Sequence, residues 1–231
     1  MEENSGVELV HRFFSGTGPA YEFMANLCTL GFDRRWKKEI IERIPEGSVR
    51  ILDQACGTGI LTFEIARKLP LCHIVGVDLL EEYLNIAKEK AGRQKFGNVE
   101  FILGKAEKVL LRQEFDCITS SYLAKYAELG NLIRNARQML RKEGVLIMHD
   151  FTYPPNHAFA RLWELYFRIL QSAGRWKYQK WRPIFHGLPP LLRKTKWTTE
   201  LTRFLRENAF SDIKIQSLTL GTSAIVTAKR V

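Results

Sequence analysis

The chain has 231 residues, 45% hydrophobic and 26% charged, which is enough for one domain, or two small ones, with a buried core. Its four scattered cysteines form no C-x-x-C pair. This spacing argues against a disulfide framework or a zinc knuckle and favours a reducing, cytoplasmic setting. No apolar run reaches the ~18 residues that span a bilayer, and the acidic start lacks the apolar stretch of a secretory signal.

The formal net charge of +10 is concentrated in one part of the chain. Between Arg161 and Arg206, eleven Lys and Arg residues stand against two acidic residues, Glu164 and Glu200. The same window contains four of the five tryptophans. A basic segment rich in tryptophan favours an anionic surface or an extended polyanion as its neighbour.

The first 151 residues alternate between helical and strand patterns. Hydrophobic spacing and Gly/Pro breaks predict helices at 7–14, 20–44, 60–69, 81–94 and 127–141, and strands at 48–55, 73–80, 99–106, 115–123 and 144–151. Strands that alternate with helices in this way predict a parallel sheet with helices on both faces. Right-handed crossovers and short loops then leave few topologies.

The pattern changes after residue 150. We predict a loop at 153–156, a helix at 158–173, an irregular basic piece with three prolines at 174–197, a helix at 198–208 and a C-terminal antiparallel hairpin. The chain would then be one α/β domain with a doubly wound, mostly parallel, seven-stranded sheet. Its predicted parts are an N-terminal helical cap (1–46), a cofactor-binding core (47–151), an inserted basic and aromatic cap (152–197) and a last helix with the hairpin (198–231).

A glycine turn follows the first predicted strand, in the stretch ILDQACGTGILT (51–62). Gly57 and Gly59 fill two places of a dinucleotide fingerprint, but Thr62 occupies the third and no G-K-[ST] follows, so a pyrophosphate ligand is disfavoured. Asp53 precedes the turn, and Asp78 ends the second strand, where an acid accepts hydrogen bonds from ribose hydroxyls. A ribose together with a cation is typical of S-adenosylmethionine. The competing interpretation is a tight turn with two aspartates at the core edge.

Five stretches carry a family resemblance: YEFMANLCTLGFDRRWK (21–37), the glycine turn itself, and FDCIT, FTYPPNHAFARLWELYF and LTLGTSAI (115–119, 151–167 and 218–225) in matching order. With them the sequence resembles class I S-adenosylmethionine-dependent methyltransferases, and within these the ubiquinone/menaquinone-biosynthesis C-methyltransferases. The likeness covers nearly the whole chain and is weakest over 174–197. It implies a Rossmann-like methyltransferase fold and S-adenosyl-L-methionine as cofactor.

The resemblance also implies cofactor contacts, in three groups. At the methionine end they are Asp53, Ala55, Gly57 and Gly59; at the ribose and adenine, Asp78, Leu79, Lys105 and Ala106; beneath the methyl group, Ser120, Ser121 and Tyr122. Lys105 stands where the family usually has Asp or Asn. We predict no metal site.

Methyl transfer to a ring carbon also requires loss of a ring proton, so a base near the methyl group is useful. The candidate catalytic residues are Tyr21, Lys125, Tyr126 and His149. Lys125 and Tyr126 replace an Arg-Asn pair that is common in the quinone family, which favours a divergent acceptor. For each candidate the alternative is an ordinary packed or solvated side chain.

The expected partner is a lipophilic small molecule, most simply a quinone-type ring methylated on carbon. The alternatives are N- or O-methylation of a lipid headgroup or another small molecule, RNA methylation driven by the basic window, and a non-catalytic cofactor-binding module; a nucleic-acid partner is disfavoured. Residues 158–197 would either close the acceptor pocket as a lid or contact anionic lipid, which would place the protein at the inner face of a membrane. The apolar stripe expected to face the pocket is Phe159, Leu162, Trp163, Tyr166, Ile169, Leu170 and Ala173.

Overall fold

A computed structural model describes residues 5–231. Its centre is a sheet of seven strands in the order β3-β2-β1-β4-β5-β7-β6. The strands are β1 (Arg50–Gln54), β2 (His73–Asp78), β3 (Val99–Leu103), β4 (Phe115–Ser121), β5 (Leu140–Phe151), β6 (Phe210–Leu218) and β7 (Ser223–Arg230). The first five pair in parallel, and β7 is antiparallel to both β5 and β6. The predicted fold, including the C-terminal antiparallel pair, is confirmed.

The described residues form nine α-helices. These are α1 (Ser5–Phe14), α2 (Tyr21–Cys28), α3 (Phe32–Ile41), α4 (Ile60–Lys68), α5 (Glu81–Gln94), α6 (Leu129–Met139), α7 (His157–Trp176), α8 (Arg182–Lys194) and α9 (Trp197–Glu207). No helix in this part of the chain combines the length and the apolar character needed to cross a bilayer.

Alternation along the strands builds a core on each face of the sheet. On β1, Leu52 packs into one cluster with residues of α6 and α9, while Ile51 packs into another with residues of α3 and α4. Successive side chains of a strand point to opposite faces, so a strand buried on both faces reads as a continuous apolar run. This layering leaves the carboxyl ends of β1, β2, β3 and β4 together at one edge.

A third hydrophobic cluster lies among the helices that cover this edge. It joins α1, α2, α7 and α8, which we call the helical cover, through buried residues such as Phe13, Met24, Phe167 and Phe185. At its centre the ring of Phe13 lies so close to Gly187 that a Cβ on Gly187 would come within 2.3 Å of it. The cover is therefore held by packing between segments that are far apart in sequence.

Two expectations about helices are wrong. Residues 20–44 form two helices instead of one, because Leu30 and Gly31 take left-handed backbone angles that end α2 before α3 begins. The piece at 174–197 is largely the helix α8 despite its prolines. Pro189 provides no N–H for the carbonyl of Phe185, and the side chain of Gln171 donates to that carbonyl instead, at 3.0 Å.

Candidate functional site

A cavity at the carboxyl edge of the sheet, which we call the main cavity, has walls from six parts of the chain. Its empty space is about 740 Å³, with open solvent at the mouth included. The walls include Val7, Val10 and Phe14 of α1, Tyr21 of α2, Ala55 and Gly57 after β1, Asp78 to Leu80 after β2, Lys105 to Glu107 after β3, and Ser121, Tyr122 and Tyr126 after β4. A cavity that opens to solvent therefore lies at the carboxyl edge, between the strand ends and α1.

The glycine turn holds an unusual backbone at this wall. Ala55 and Gly57 line the cavity with positive φ angles of 56° and 58°, and Gly59 follows at 83° as the residue that caps α4. Gly59 turns away from the cavity, and a Cβ there would come within 2.5 Å of the Phe63 ring. Position 59 therefore requires glycine because of the close Phe63 ring and the positive φ angle, whereas Gly57 presents its backbone to the cavity.

Asp78 combines a structural role with free binding capacity. Its carboxylate accepts hydrogen bonds from the N–H groups of Gly57, at 2.8 Å, and Leu80, at 2.9 Å. Burial raises the pKa of this carboxyl, and the backbone N–H groups around it oppose that rise. A carboxylate accepts about four hydrogen bonds, so both oxygens keep capacity for ribose hydroxyls. The carboxylate oxygens of Asp78 therefore fit the ribose hydroxyls in the nucleoside part of S-adenosylmethionine.

The far end of the main cavity is lined by Leu79, Lys105, Ala106 and Glu107. Lys105 forms an ion pair with Glu107 at 3.2 Å. The wall of the main cavity thus has a buried carboxylate, that of Glu107, beside the position where Lys105 replaces the family's Asp or Asn. Sequence reasoning missed Glu107, although it directly follows the two predicted contacts Lys105 and Ala106 in the chain.

Asp53 lies in the wall of a smaller second cavity, which shares Tyr21, Ala55, Gly57, Ser121 and Tyr122 with the main one and adds Lys37, Asp53, Cys56, Ile60 and Leu61. Its carboxylate accepts hydrogen bonds from Thr62 Oγ1, at 2.6 Å, and Thr119 Oγ1, at 3.0 Å. Burial raises the pKa of Asp53 from 3.8 to about 6, although these two hydroxyls and Lys37 act in the opposite direction. Both carboxylate oxygens of Asp53 therefore already accept hydrogen bonds from side chains of the protein.

The end of β4 alternates between core and cavity. Ser120 is buried, and no hydrogen-bond partner for its hydroxyl occurs among the described residues, while the next residue, Ser121, lines both cavities. Tyr122 follows with a positive φ of 69° and donates its hydroxyl to Asp33 Oδ1 at 2.7 Å. Ser121 and Tyr122 thus lie where contact to the methyl end was expected, and Ser120 lies behind them.

Two of the four catalytic candidates are enclosed by the protein. His149 is fully buried between Ser121 Oγ, 3.0 Å from Nδ1, and Ser223 Oγ, 2.6 Å from Nε2. Burial and the nearby cations lower its pKa well below 6.5, so the ring is neutral. Lys125 forms a buried ion pair with Asp150 at 2.6 Å. Neither side chain lines the main or the second cavity.

The other two candidates are in the cavity walls. Tyr126 lines the main cavity, and Tyr21 lines both cavities and stacks on Trp181 with ring centroids 6.2 Å apart. Burial and neighbouring acids or phenols raise the pKa of both hydroxyls well above 10. Both are therefore neutral phenols near pH 7, which donate hydrogen bonds but are poor bases.

The family model for the ubiE/COQ5 methyltransferases matches residues 2–230. The chain belongs to this family. It is 27% identical over 230 residues to the ubiquinone/menaquinone biosynthesis C-methyltransferase UbiE of Geobacter sulfurreducens, a match that covers 96% of this chain and 89% of the relative. It is 25% identical over 228 residues to the demethylmenaquinone methyltransferase of Chlorobaculum parvum, with coverage of 96% and 92%.

Solved structures agree on the fold of this ubiE/COQ5 family member. The N-methyltransferase NodS from Bradyrhizobium japonicum, in complex with S-adenosyl-L-homocysteine, superposes with a TM-score of 0.56 at 13% identity, covering 86% of this chain and 87% of NodS. The pyocyanin biosynthetic protein PhzM gives 0.62 at 16% identity, covering 88% of this chain and 57% of PhzM. Family membership and an edge that fits the donor make the protein an S-adenosylmethionine-dependent methyltransferase.

Proposed function

We propose that the protein transfers a methyl group from S-adenosylmethionine to a carbon of a quinone-type ring that carries an apolar tail. The matched relatives are named for quinone methylation. The observation that carries the proposal is the aromatic and aliphatic wall opposite the sheet edge, formed by Val7, Val10, Phe14, Tyr21 and Tyr126. Such a wall suits a flat apolar ring better than a charged headgroup.

The protein's contribution to this reaction is alignment and exclusion of water. The bound donor supplies a sulfonium carbon that is already electrophilic. We propose that Asp78, Gly57 and Ala106 hold the nucleoside and that α1 closes over it, so that donor and acceptor meet in a dry site. The acceptor would react as its phenolate, and the ring proton displaced by the new carbon–methyl bond would leave to water at the mouth of the cavity. A neutral Tyr21 would donate a hydrogen bond to the phenolate oxygen and so favour the nucleophilic form of the acceptor; this differs from the base first expected.

The acceptor class is tested with methyl-labelled donor and three acceptors: a demethylated naphthoquinol with a prenyl tail, a phosphatidylethanolamine and a bulk RNA. Label is expected in the quinone fraction. Tyr21→Phe should lower kcat about tenfold or more, while Tyr178→Phe, in the cover, serves as the matched control. Label only in the phospholipid would establish headgroup methylation instead, and label only in RNA would revive the polymer alternative.

We further propose that segment 152–197 is an inserted cap over the core, that 1–46 is the N-terminal cap, and that α7 rests on an anionic membrane. The buried line of α7 runs through Ala160, Phe167, Leu170 and Gly174, so it is rotated from the expected stripe. Leu162, Leu165, Ile169 and Trp176 are instead 50% to 89% exposed and share one outward face, because they are spaced three, four and seven residues apart.

Charge complementarity selects anionic lipid as the partner of this outward face. Arg161, Arg168 and Arg175 recur every seven residues along one edge of the exposed apolar line, and all three are exposed. Each cation near an anionic surface contributes about 1 kcal/mol, and the apolar side chains add burial at the headgroup boundary. Trp181, which belongs to the same hydrophobic cluster as the helical cover, stacks on Tyr21 in the cavity wall, so the cover and the cavity share a boundary.

Sedimentation with phosphatidylglycerol vesicles tests the membrane contact. Wild type should pellet at low salt and be released by high salt, and R161E/R168E/R175E should stay in the supernatant. The control K88E/R93E/K95E makes the same change in net charge on a distant exposed surface and should still pellet. If both triple variants lost vesicle binding equally, binding would depend on net charge and not on α7. If the protein retained RNA but did not bind vesicles, RNA would replace anionic lipid as the proposed partner.

A further inference from the structure

Lys37, on α3, is a buried cation in the wall of the second cavity. Its side chain is 5% exposed and forms an ion pair with Asp33, one turn earlier on the same helix. The ammonium also lies 5.1 Å from the centre of the Tyr122 ring. A lysine buried to this degree is uncommon unless it is paired, and this one lies beside the glycine turn where methyl donors bind.

The hydrogen bonds of this group leave donors unused. An ammonium has three N–H donors, and within residues 5–231 Lys37 uses one of them, on Asp33 Oδ1. The same carboxylate oxygen also accepts the hydroxyl of Tyr122 at 2.7 Å. The remaining N–H groups of Lys37 therefore have capacity for an acceptor that enters the cavity.

A helix end favours the same kind of ligand. Ile60 and Leu61, the first residues of α4, line the second cavity beside Lys37. The N–H groups of a first helical turn have no acceptor within the helix and carry partial positive charge, so they favour an anion. A cation and a helix N-terminus thus border one small space.

The two cavities adjoin, because five residues line both of them. A nucleoside on Asp78 in the main cavity would extend its amino-acid part past Ala55 and Gly57 into the second one. Among the described residues, the lysines that line these cavities are Lys37 and Lys105, and Lys105 is paired with Glu107 at the far end. We propose that Lys37 binds the α-carboxylate of S-adenosylmethionine, an inference that rests on the proposed placement of the donor.

Calorimetry with two product analogues tests this role without any turnover. S-adenosylhomocysteine carries the carboxylate, and its decarboxylated analogue keeps the adenosine, the sulfur and the amine but lacks it. Wild type should bind S-adenosylhomocysteine about 10- to 100-fold more tightly than the analogue. Lys37→Met should remove most of this difference by weakening only the carboxylate-bearing ligand.

Two further variants separate binding from folding. Lys38→Met makes the same substitution at the next residue of α3, whose side chain is 78% exposed, and should leave the preference unchanged. Because Lys37→Met leaves Asp33 buried without its cation, the double variant Asp33→Asn/Lys37→Met is the folded reference and should also lose the preference. Equal weakening of both ligands, or a preference that survives in the double variant, would overturn the role of Lys37. Absence of any S-adenosylhomocysteine binding by wild type would instead overturn the donor placement.

Discussion

The sheet edge and the helical cover form the same site in opposite ways. At the edge, short turns after neighbouring parallel strands set the geometry: Gly57 follows β1, Asp78 ends β2, and the two join through one hydrogen bond of 2.8 Å. In the cover, contacts join distant segments, as when Phe13 of α1 packs against Gly187 of α8. We infer that changes at the edge act mainly on ligand affinity and that changes in the cover act mainly on packing and membrane contact.

Two buried lysines next to Tyr122 show that position at the edge does not by itself decide a role. Lys125, in the turn after β4, lies 5.4 Å from the centre of the Tyr122 ring, and Lys37, on α3, lies 5.1 Å from it. Lys125 lies four residues after the end of β4, and the Asp150 carboxylate accepts hydrogen bonds from both its ammonium group and its backbone N–H. Lys37 is distant in sequence and lines the second cavity. Within the described part of the chain, Lys125 uses two of its three N–H donors and lines neither cavity, whereas Lys37 uses one and lines the second cavity, so Lys37 is the cation that can bind a ligand there.

The largest expected effect tests that distinction. Lys125→Met leaves Asp150 as a buried charge without a counterion, which should lower the free energy of unfolding by about 3–5 kcal/mol. The double variant Lys125→Met/Asp150→Asn should recover part of this loss, because no charge remains buried. Urea unfolding measures both. A stable Lys125→Met protein with impaired catalysis would restore Lys125 as a catalytic residue.

Asp53 provides a pH-dependent test of the edge. Its folded pKa of about 6 lies above the ordinary 3.8, so its contribution to stability is complete below pH 4 and is lost as the pH rises through 6. The shift corresponds to at most about 3 kcal/mol. Asp53→Asn should therefore show a smaller fall in unfolding free energy between pH 4 and pH 7 than wild type. Asp212→Asn, at an exposed position, is the control, and parallel profiles for Asp53→Asn and wild type would contradict the buried carboxylate.

Asp78 tests whether edge residues act on affinity. Asp78→Ala removes the acceptors for the ribose and for the Gly57 and Leu80 N–H groups, and it should weaken S-adenosylhomocysteine binding by about 100-fold, or about 2.7 kcal/mol. Isothermal titration calorimetry gives the affinity, and thermal unfolding confirms that the variant is folded. Asp116→Ala, at the opposite end of β4, should leave affinity intact. If Asp78→Ala bound S-adenosylhomocysteine with unchanged affinity, the predicted contact between Asp78 and the ribose would be wrong.

The edge was predictable because its information is local. A glycine turn after one strand and an acid at the end of the next predict parallel strands and a nucleoside site. The structure confirms the parallel strands and brings Gly57, Asp78 and Ala106 into one cavity wall, while their contact with a nucleoside stays a prediction. The cover was not predictable in this way. In helix α8, the side chain of Gln171 donates the hydrogen bond that Pro189 cannot donate to the Phe185 carbonyl. Lys37 reaches the cavity only when α3 packs on the sheet. Such long-range contacts leave no spacing pattern in the sequence.

The smallest expected effect tests the cover itself. Gly187→Ala places a Cβ within 2.3 Å of the Phe13 ring, so α1 or α8 must shift, at a cost of about 1–3 kcal/mol. Since α1 also lines the main cavity, S-adenosylhomocysteine affinity should fall only severalfold, as measured by calorimetry. Gly92→Ala is the matched control, because nothing lies within 4 Å of a Cβ there and alanine favours its helix. A 100-fold loss of affinity in Gly187→Ala would make α1 a direct part of the binding site and end the division between edge and cover.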